Sequence, residues 1–315
     1  MSPEKNRKNI YDLIILGAGP AGVTAAIYGS RSGLDVLLLE HMITGGVIAS
    51  TEYLENYPGF PEGISGQEFC QRLERQAMRF GAEIINATVE STDIEGELKK
   101  VSSSAGVFWG RSLLVATGTM PRGLGVAGEG SFLGKGISFC AICDGPFFRD
   151  KTVAVIGGGD AAVEGAQYLT RFAARVILIH RRNQLRAVPV LQKKILKNPK
   201  VKVLWDTVVR EFRGEQKLNT IIVENVKDNV TSELAVDGAF LYIGRVPNTG
   251  FLRGLDIDSQ GYIITNEEME TSVPGVFAAG DVRRKFLCQV VTAASDGAIA
   301  AMMALKHLKV TGAHR

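Results

Sequence analysis

Two glycine-rich turns, each set between an apolar run and a helix-like segment, constrain this chain more than any other feature. The first is Gly17-Ala18-Gly19-Pro20-Ala21-Gly22 and the second is Gly157-Gly158-Gly159-Asp160-Ala161-Ala162. Residues 11–16 read as a short buried strand entering the first turn, and residues 23–32 as the helix leaving it. Residues 152–156 and 163–170 bracket the second turn in the same way. In that order the glycines let the backbone approach a pyrophosphate held at a helix N-terminus. A lone turn of this kind carries little weight in a chain with 36 Gly among 315 residues, but the full strand, turn and helix context is met twice. The sequence therefore predicts an α/β protein with two Rossmann-like nucleotide-binding domains.

The two units differ where the ribose is read, at the end of the next strand. In the first, residues 36–39 are apolar and end in Glu40, about twenty residues after the first glycine. A carboxylate there accepts from a ribose hydroxyl and repels a 2′-phosphate. In the second, residues 176–179 end at the same offset in His180-Arg181-Arg182, with Arg186 close behind. Guanidinium forks fit a phosphate dianion in geometry and in charge. The second unit thus reads as an NADPH site and the first as a site for an adenine dinucleotide without that phosphate, such as FAD.

Between the fingerprints lies Cys140-Ala141-Ile142-Cys143-Asp144-Gly145. A zinc site lacks further ligands, because the only other cysteines are Cys70 and Cys288 and no histidine pair lies near. Two cysteines separated by two residues can instead form a redox dithiol, reactive where a thiol pKa is lowered. Asp144 reads either as a proton donor and acceptor for thiol exchange or as a turn residue before Gly145. The 36 basic and 33 acidic residues balance to a net charge of +3, which gives no argument for nucleic acid. No apolar run reaches the length of a membrane span, and residues 1–8 are polar without the apolar core of a signal peptide. The expectation is a cytoplasmic enzyme, where cysteines stay reduced unless catalytic.

The segments GAGPAG, ENYPGFPEG, LLVATG, CAICDG, VAVIGGGDAA, HRRNQLRA and TSVPGVFAAGDV, in this order and nearly end to end, resemble the low-molecular-weight thioredoxin reductases. That resemblance implies a flavin domain made from both ends of the chain, residues 1–122 and 248–315. An NADPH domain carrying the dithiol, residues 123–247, is inserted between them. It implies that Gly17, Gly19, Pro20, Ala21, Gly22 and Glu40 hold the adenine half of FAD. Gly45, Gly46, Asn56, Thr117 and Gly118 would approach the flavin. Gly280 and Asp281 would hold the ribityl chain, and Gln289 and Val290 would start a helix, running toward Leu305, that faces the ring. On the NADPH side it implies Gly157, Gly159, Asp160, Ala161 and Glu164 at the loop, with His180, Arg181, Arg182 and Arg186 on the phosphate.

The relay implied runs from NADPH to flavin to the disulfide, with Cys143 facing the flavin and Cys140 attacking thioredoxin. The NADPH domain of such proteins rotates about its two connections, here near residues 119–123 and 244–248, and the resemblance implies a homodimer. A dithiol oxidase, a reductase of another disulfide and a low-turnover FAD- and NADPH-binding sensor are the alternatives on the same core. Val47, Ile142, Cys288 and Val290 depart from the residues usual in these proteins. Cys70 and Cys288 are expected as small buried residues, with a third redox thiol the alternative at Cys288. Phe147 and Phe148 read as packing, the lysines at 193, 194, 197 and 200 as a solvated face, and the histidines at 307 and 314 as unconnected with any metal.

Overall fold

The computed structural model describes residues 10–51 and 54–312; the polar stretch 1–8 and His314 lie outside them. The chain divides into two compact units, Met1–Met120 with Val246–Arg315, and Pro121–Arg245. Among the described residues, the first unit is built on a seven-stranded sheet. Strand Ile10–Leu16 lies parallel between Val36–Glu40 and Gly106–Val115, and Glu83–Asn86 extends the sheet beyond Val36–Glu40. Strand Val36–Glu40 runs Val-Leu-Leu-Leu before Glu40, and Gly106–Val115 ends in Leu113-Leu114-Val115, the stretches in which both strands are buried on both faces. The long strand Gly106–Val115 does two jobs. Its first half pairs antiparallel with Lys99–Ser103, and its second half pairs parallel with Val276–Ala278, which brings the C-terminal segment into the sheet.

Helices Pro20–Arg31 and Val290–Val310 pack on one face over a core that includes Leu13, Ile15, Leu38, Phe277 and Ala301. Helix Pro20–Arg31 opens with Pro at its first position, where the missing N–H costs nothing and the fixed φ suits the helix. It begins three residues before the sequence pattern suggested, because the apolar periodicity that marks a helix starts only after the glycine turn.

Unit 121–245 repeats the arrangement. Strand Thr152–Gly157 lies parallel between Arg175–Ile179 and Gly238–Tyr242, with Val201–Leu204 and Ile137–Ser138 at the edges. Helix Asp160–Leu169 packs on this sheet through Ala162, Val163, Ala166 and Leu169. A three-stranded antiparallel sheet, Thr207–Gly214, Leu218–Asn225 and Thr231–Ala235, covers the other side. The segments joining the units, Thr119–Pro121 and Arg245–Pro247, pair with each other.

Candidate functional site: two nucleotide cradles and a dithiol

In the first unit the three glycines of the turn do three different things. Gly17 holds φ at +99°, and a Cβ there would meet the Ala116 carbonyl oxygen at 2.6 Å. Above Gly19 nothing lies within 4 Å of where a Cβ would stand, so its backbone faces open space. A Cβ on Gly22 would lie 1.9 Å from the Gly17 oxygen, so helix and turn can close only around a glycine. Tight turn, open approach and close packing are the requirements for a pyrophosphate cradle.

Around that cradle the fold gathers the other expected residues. Glu40 accepts from the amides of Ala18 at 2.8 Å, His41 at 2.9 Å and Met42 at 3.0 Å. The carboxylate thus fastens the turn to the strand end and retains lone-pair capacity for a hydroxyl. Gly45 donates to the Ala18 carbonyl at 2.7 Å, and a Cβ on Gly46 would come within 3.6 Å of the Gly19 Cα. Gly280, at φ +77°, leaves room for Ala21, whose Cβ would be 2.9 Å from an added one. Asn56 donates to the Gln289 side chain at 3.1 Å, joining two positions 233 residues apart. Gln289 caps helix Val290–Val310 in a reciprocal arrangement with Thr292, and so sets the direction of that helix N-terminus. Thr117 donates to the Asn248 carbonyl at 2.8 Å, and the Asn248 amide donates to Gly118 at 3.0 Å.

The second cradle follows the same logic with one substitution. Gly157 has φ +152° and no room beside the Tyr242 carbonyl; above Gly159 the space is open. The third position is Ala162, buried against the sheet. Asp160 accepts from the Val188 amide at 2.8 Å, and Arg186 donates its amide to the Gly158 carbonyl at 2.6 Å, so the basic segment folds back over the glycine turn. Ala161 and Glu164 are exposed on the helix that follows. Arg181, Arg182 and Arg186 are all exposed at its edge.

His180 departs from expectation. It is 4% exposed and packs beneath Gly158, whose Cβ would stand 2.3 Å from the ring. Burial lowers its pKa, backbone hydrogen bonds at Gln184 and Gly157 oppose this, and the charges of Arg186 and Arg182 lower it further. The imidazole thus packs under the glycine turn, while Arg181, Arg182 and Arg186 stand exposed beside it.

Cys140 and Cys143 form a disulfide across the short turn Ala141–Asp144, with Cα atoms 5.4 Å apart. The Cys143 amide donates to Cys140 Sγ at 3.2 Å. Cys143 is the more exposed of the two. The turn is held from behind by groups that carry no motif signature. The Tyr242 hydroxyl accepts from the Ala141 amide at 2.9 Å, and Ser138 Oγ accepts from the Cys140 amide at 2.9 Å. Asp144 is half-buried and makes no capping bond to the turn that follows it.

A profile described as pyridine nucleotide-disulphide oxidoreductase matches residues 11–298. The chain belongs to this family. A thioredoxin reductase of Treponema pallidum is 46% identical over 298 residues, 95% of this chain and 97% of that one. One from Bacillus subtilis is 45% identical over 303 residues, covering 96% and 94%. The crystal structure of Lactococcus lactis thioredoxin reductase superposes with a TM-score of 0.92 at 41% identity, over 95% of this chain and 99% of that one. The T. acidophilum thioredoxin reductase gives 0.89 at 31% identity, over 96% and 100%. The motif resemblance and the α/β fold expected from it are borne out within this family.

Other expectations need correction. Cys288 is exposed, whereas Cys70 is buried against Gly45 with its thiol pushed up to about 11 by burial and by Glu74. The rule that isolated cysteines sit in cores holds for the one on an amphipathic helix and fails for the one in a loop. Phe147 is 74% exposed; only Phe148 packs, edge-on to Phe240 and over Gly238. Lys200 is not merely solvated, because its ammonium donates to the carbonyls of Thr170 and Ala173 at the end of helix Asp160–Leu169. His307 packs against Phe277 and over Gly275. Among the described residues no helix is long and apolar enough to cross a membrane.

Proposed function

We propose that the protein transfers electrons from NADPH, through FAD held in the first unit, to the Cys140–Cys143 disulfide and then to the disulfide of thioredoxin. The observation that carries this reading is the dithiol turn built into the same unit as a glycine cradle rimmed by three arginines. The net reaction balances as NADPH, a proton and a thioredoxin disulfide giving NADP⁺ and a thioredoxin dithiol.

The residues present fit both groups. In the first unit the backbone above Gly19 and the start of helix Pro20–Arg31 would take the FAD pyrophosphate, Glu40 the adenosine ribose, and Asp281 the ribityl chain. FAD, when bound, supplies a centre that accepts a hydride and passes two electrons to a disulfide. The N-terminus of helix Val290–Val310, oriented by Gln289 and Asn56, would place a partial positive charge near the ring. In the second unit the backbone above Gly159 would take the NADPH pyrophosphate, and Arg181, Arg182 and Arg186 its 2′-phosphate. Reduced Cys140, as a thiolate, attacks the partner disulfide and forms a mixed disulfide; Cys143 then attacks Cys140 Sγ and releases the reduced partner. Asp144, the residue after Cys143, would serve the proton transfers to the departing thiolates.

The reading includes a homodimer, which rests on the family resemblance alone, and a cytoplasmic setting, which a dithiol kept for catalysis fits. The test is turnover: the FAD-loaded protein, NADPH and thioredoxin should give thioredoxin thiols, and Cys140→Ser should give none. Thiol formation undiminished in that variant would refute the reading.

A further inference from the structure

Helix Val290–Val310 carries a buried carboxylate that no motif marked and that the relay above does not use. Asp296 is 5% exposed and faces four donors. Its Oδ2 accepts from the Gly280 amide at 3.0 Å, from Arg283 Nε at 2.9 Å and from Lys285 Nζ at 2.9 Å, and its Oδ1 accepts from Arg283 Nη2 at 3.2 Å. Arg283 is held in turn by Thr265 Oγ1 at 3.0 Å. Lys285 and Arg283 are themselves largely shielded from water. Burial pushes the pKa of Asp296 up, but the hydrogen bonds and charges of Arg283 and Lys285 outweigh this and hold it below the ordinary carboxylate range. Asp296 is therefore one anion between two cations, and the Asp281 carboxylate adds a second negative charge nearby, both it and Lys285 acting on Cys288.

Its location gives the cluster consequences. Gly280 precedes Asp281 in the turn Gly280–Val282, and the amide that Asp296 accepts from is the first of that turn. The residue after Asp296, Gly297, lies so close to the Ala21 carbonyl that a Cβ would stand 2.0 Å from it, and Ala21 belongs to the first glycine cradle. One helical step thus ties together the cradle, the Gly280–Asp281 turn and the helix that starts at Val290. A buried ion cluster is costly to desolvate and contributes little net stability compared with apolar packing, so stability alone does not account for it.

We propose that Asp296, with Arg283 and Lys285, is a positioning residue of the flavin site, which fixes the Gly280–Asp281 turn and sets the charge balance that tunes the flavin reduction potential. This rests on the reading that the first unit holds FAD. Asp296→Asn keeps one acceptor for Gly280 but removes the negative charge between the two cations. An added positive charge favours the anionic reduced flavin, so the potential should rise. Lys285→Gln removes one positive charge while Asp296 keeps Arg283, so the potential should fall. Asp296→Asn with Lys285→Gln restores the charge count and should return the potential toward that of the parent.

The experiment uses the full chain, stripped of flavin and reloaded with FAD, with affinity followed by flavin fluorescence and the potential measured against a reference dye. Asp296→Asn should bind FAD about tenfold or more weakly. The reduced-to-oxidised ratio at a fixed potential should shift about tenfold in opposite directions in the two single variants, equivalent to about 30 mV each way for a two-electron couple. A purely structural role would weaken FAD binding without opposite shifts and without recovery in the double variant, and would overturn the proposal. Should Asp296→Asn fail to fold, an unchanged potential in Lys285→Gln overturns it equally. If the unmodified chain itself does not take up FAD, the flavin reading fails and the proposal with it.

Discussion

Replacing Tyr242 by Phe removes one oxygen atom from the second unit and leaves the ring where it packs on Gly165. That oxygen is the acceptor for the Ala141 amide, and Ala141 is 2% exposed, so water has no access with which to replace it. Burial raises the Tyr242 pKa, the Ala141 bond opposes this, and Asp144 and Glu164 raise it again, so the acceptor stays a neutral phenol through the neutral range. Leaving a buried donor unsatisfied costs about 1–3 kcal/mol. For a unit of this size that corresponds to a fall of roughly 4–12 °C in the midpoint of its thermal transition. The same cost falls on the turn that carries the dithiol, so the exchange protection of the Ala141 amide should drop by about 5- to 150-fold. Calorimetry of the full chain reads the first effect and amide hydrogen exchange the second. A midpoint within about 1 °C of the parent, with Ala141 still protected, would show that the Tyr242 bond does not hold the turn, because a cost of 1–3 kcal/mol cannot hide in that interval.

Further consequences are as direct. Arg181→Ala should weaken NADPH binding about tenfold or more, the cost of one charge-assisted hydrogen bond, and leave NADH nearly unaffected; titration with both coenzymes checks it. Glu40→Ala deprives the Ala18, His41 and Met42 amides of their acceptor, so the protein should purify with less FAD, read from the ratio of flavin to protein absorbance. His180 has its pKa lowered by folding, so it binds protons more readily when unfolded. Its contribution to stability is therefore present above about pH 6.5 and is lost as the pH falls through that value toward its folded pKa. His180→Asn should flatten the decline in stability between neutral and mildly acidic pH, measured by denaturant unfolding at each pH.

What the sequence made legible was local. The glycine turns could be read because positive φ and missing Cβ atoms leave a fixed spacing, and the dithiol because two residues between cysteines is itself the geometry. Glu40 was legible as a strand end, and the structure adds that it also clamps the Ala18 amide. The parts that escaped are joined across the chain. Tyr242 meets Ala141 over 101 residues, and Asn56 meets Gln289 over 233, two expected residues whose contact only the fold reveals. His180 and the arginines after it form one basic run in the sequence, yet the strand end turns His180 inward under Gly158 and leaves the arginines exposed. Asp296 was invisible for the opposite reason, since a lone Asp on a helix gives no sign that Arg283 and Lys285 fold back on it.

The most direct test of the relay is an anaerobic reductive titration of the FAD-loaded full chain with dithionite. A flavin and a disulfide in communication each take two electrons, so the unmodified protein should consume four per flavin before bleaching is complete. Cys143→Ser, in which no disulfide can form, should consume two. Consumption of two electrons by both proteins would contradict the account, because the Cys140–Cys143 pair would then lie outside the path of the electrons.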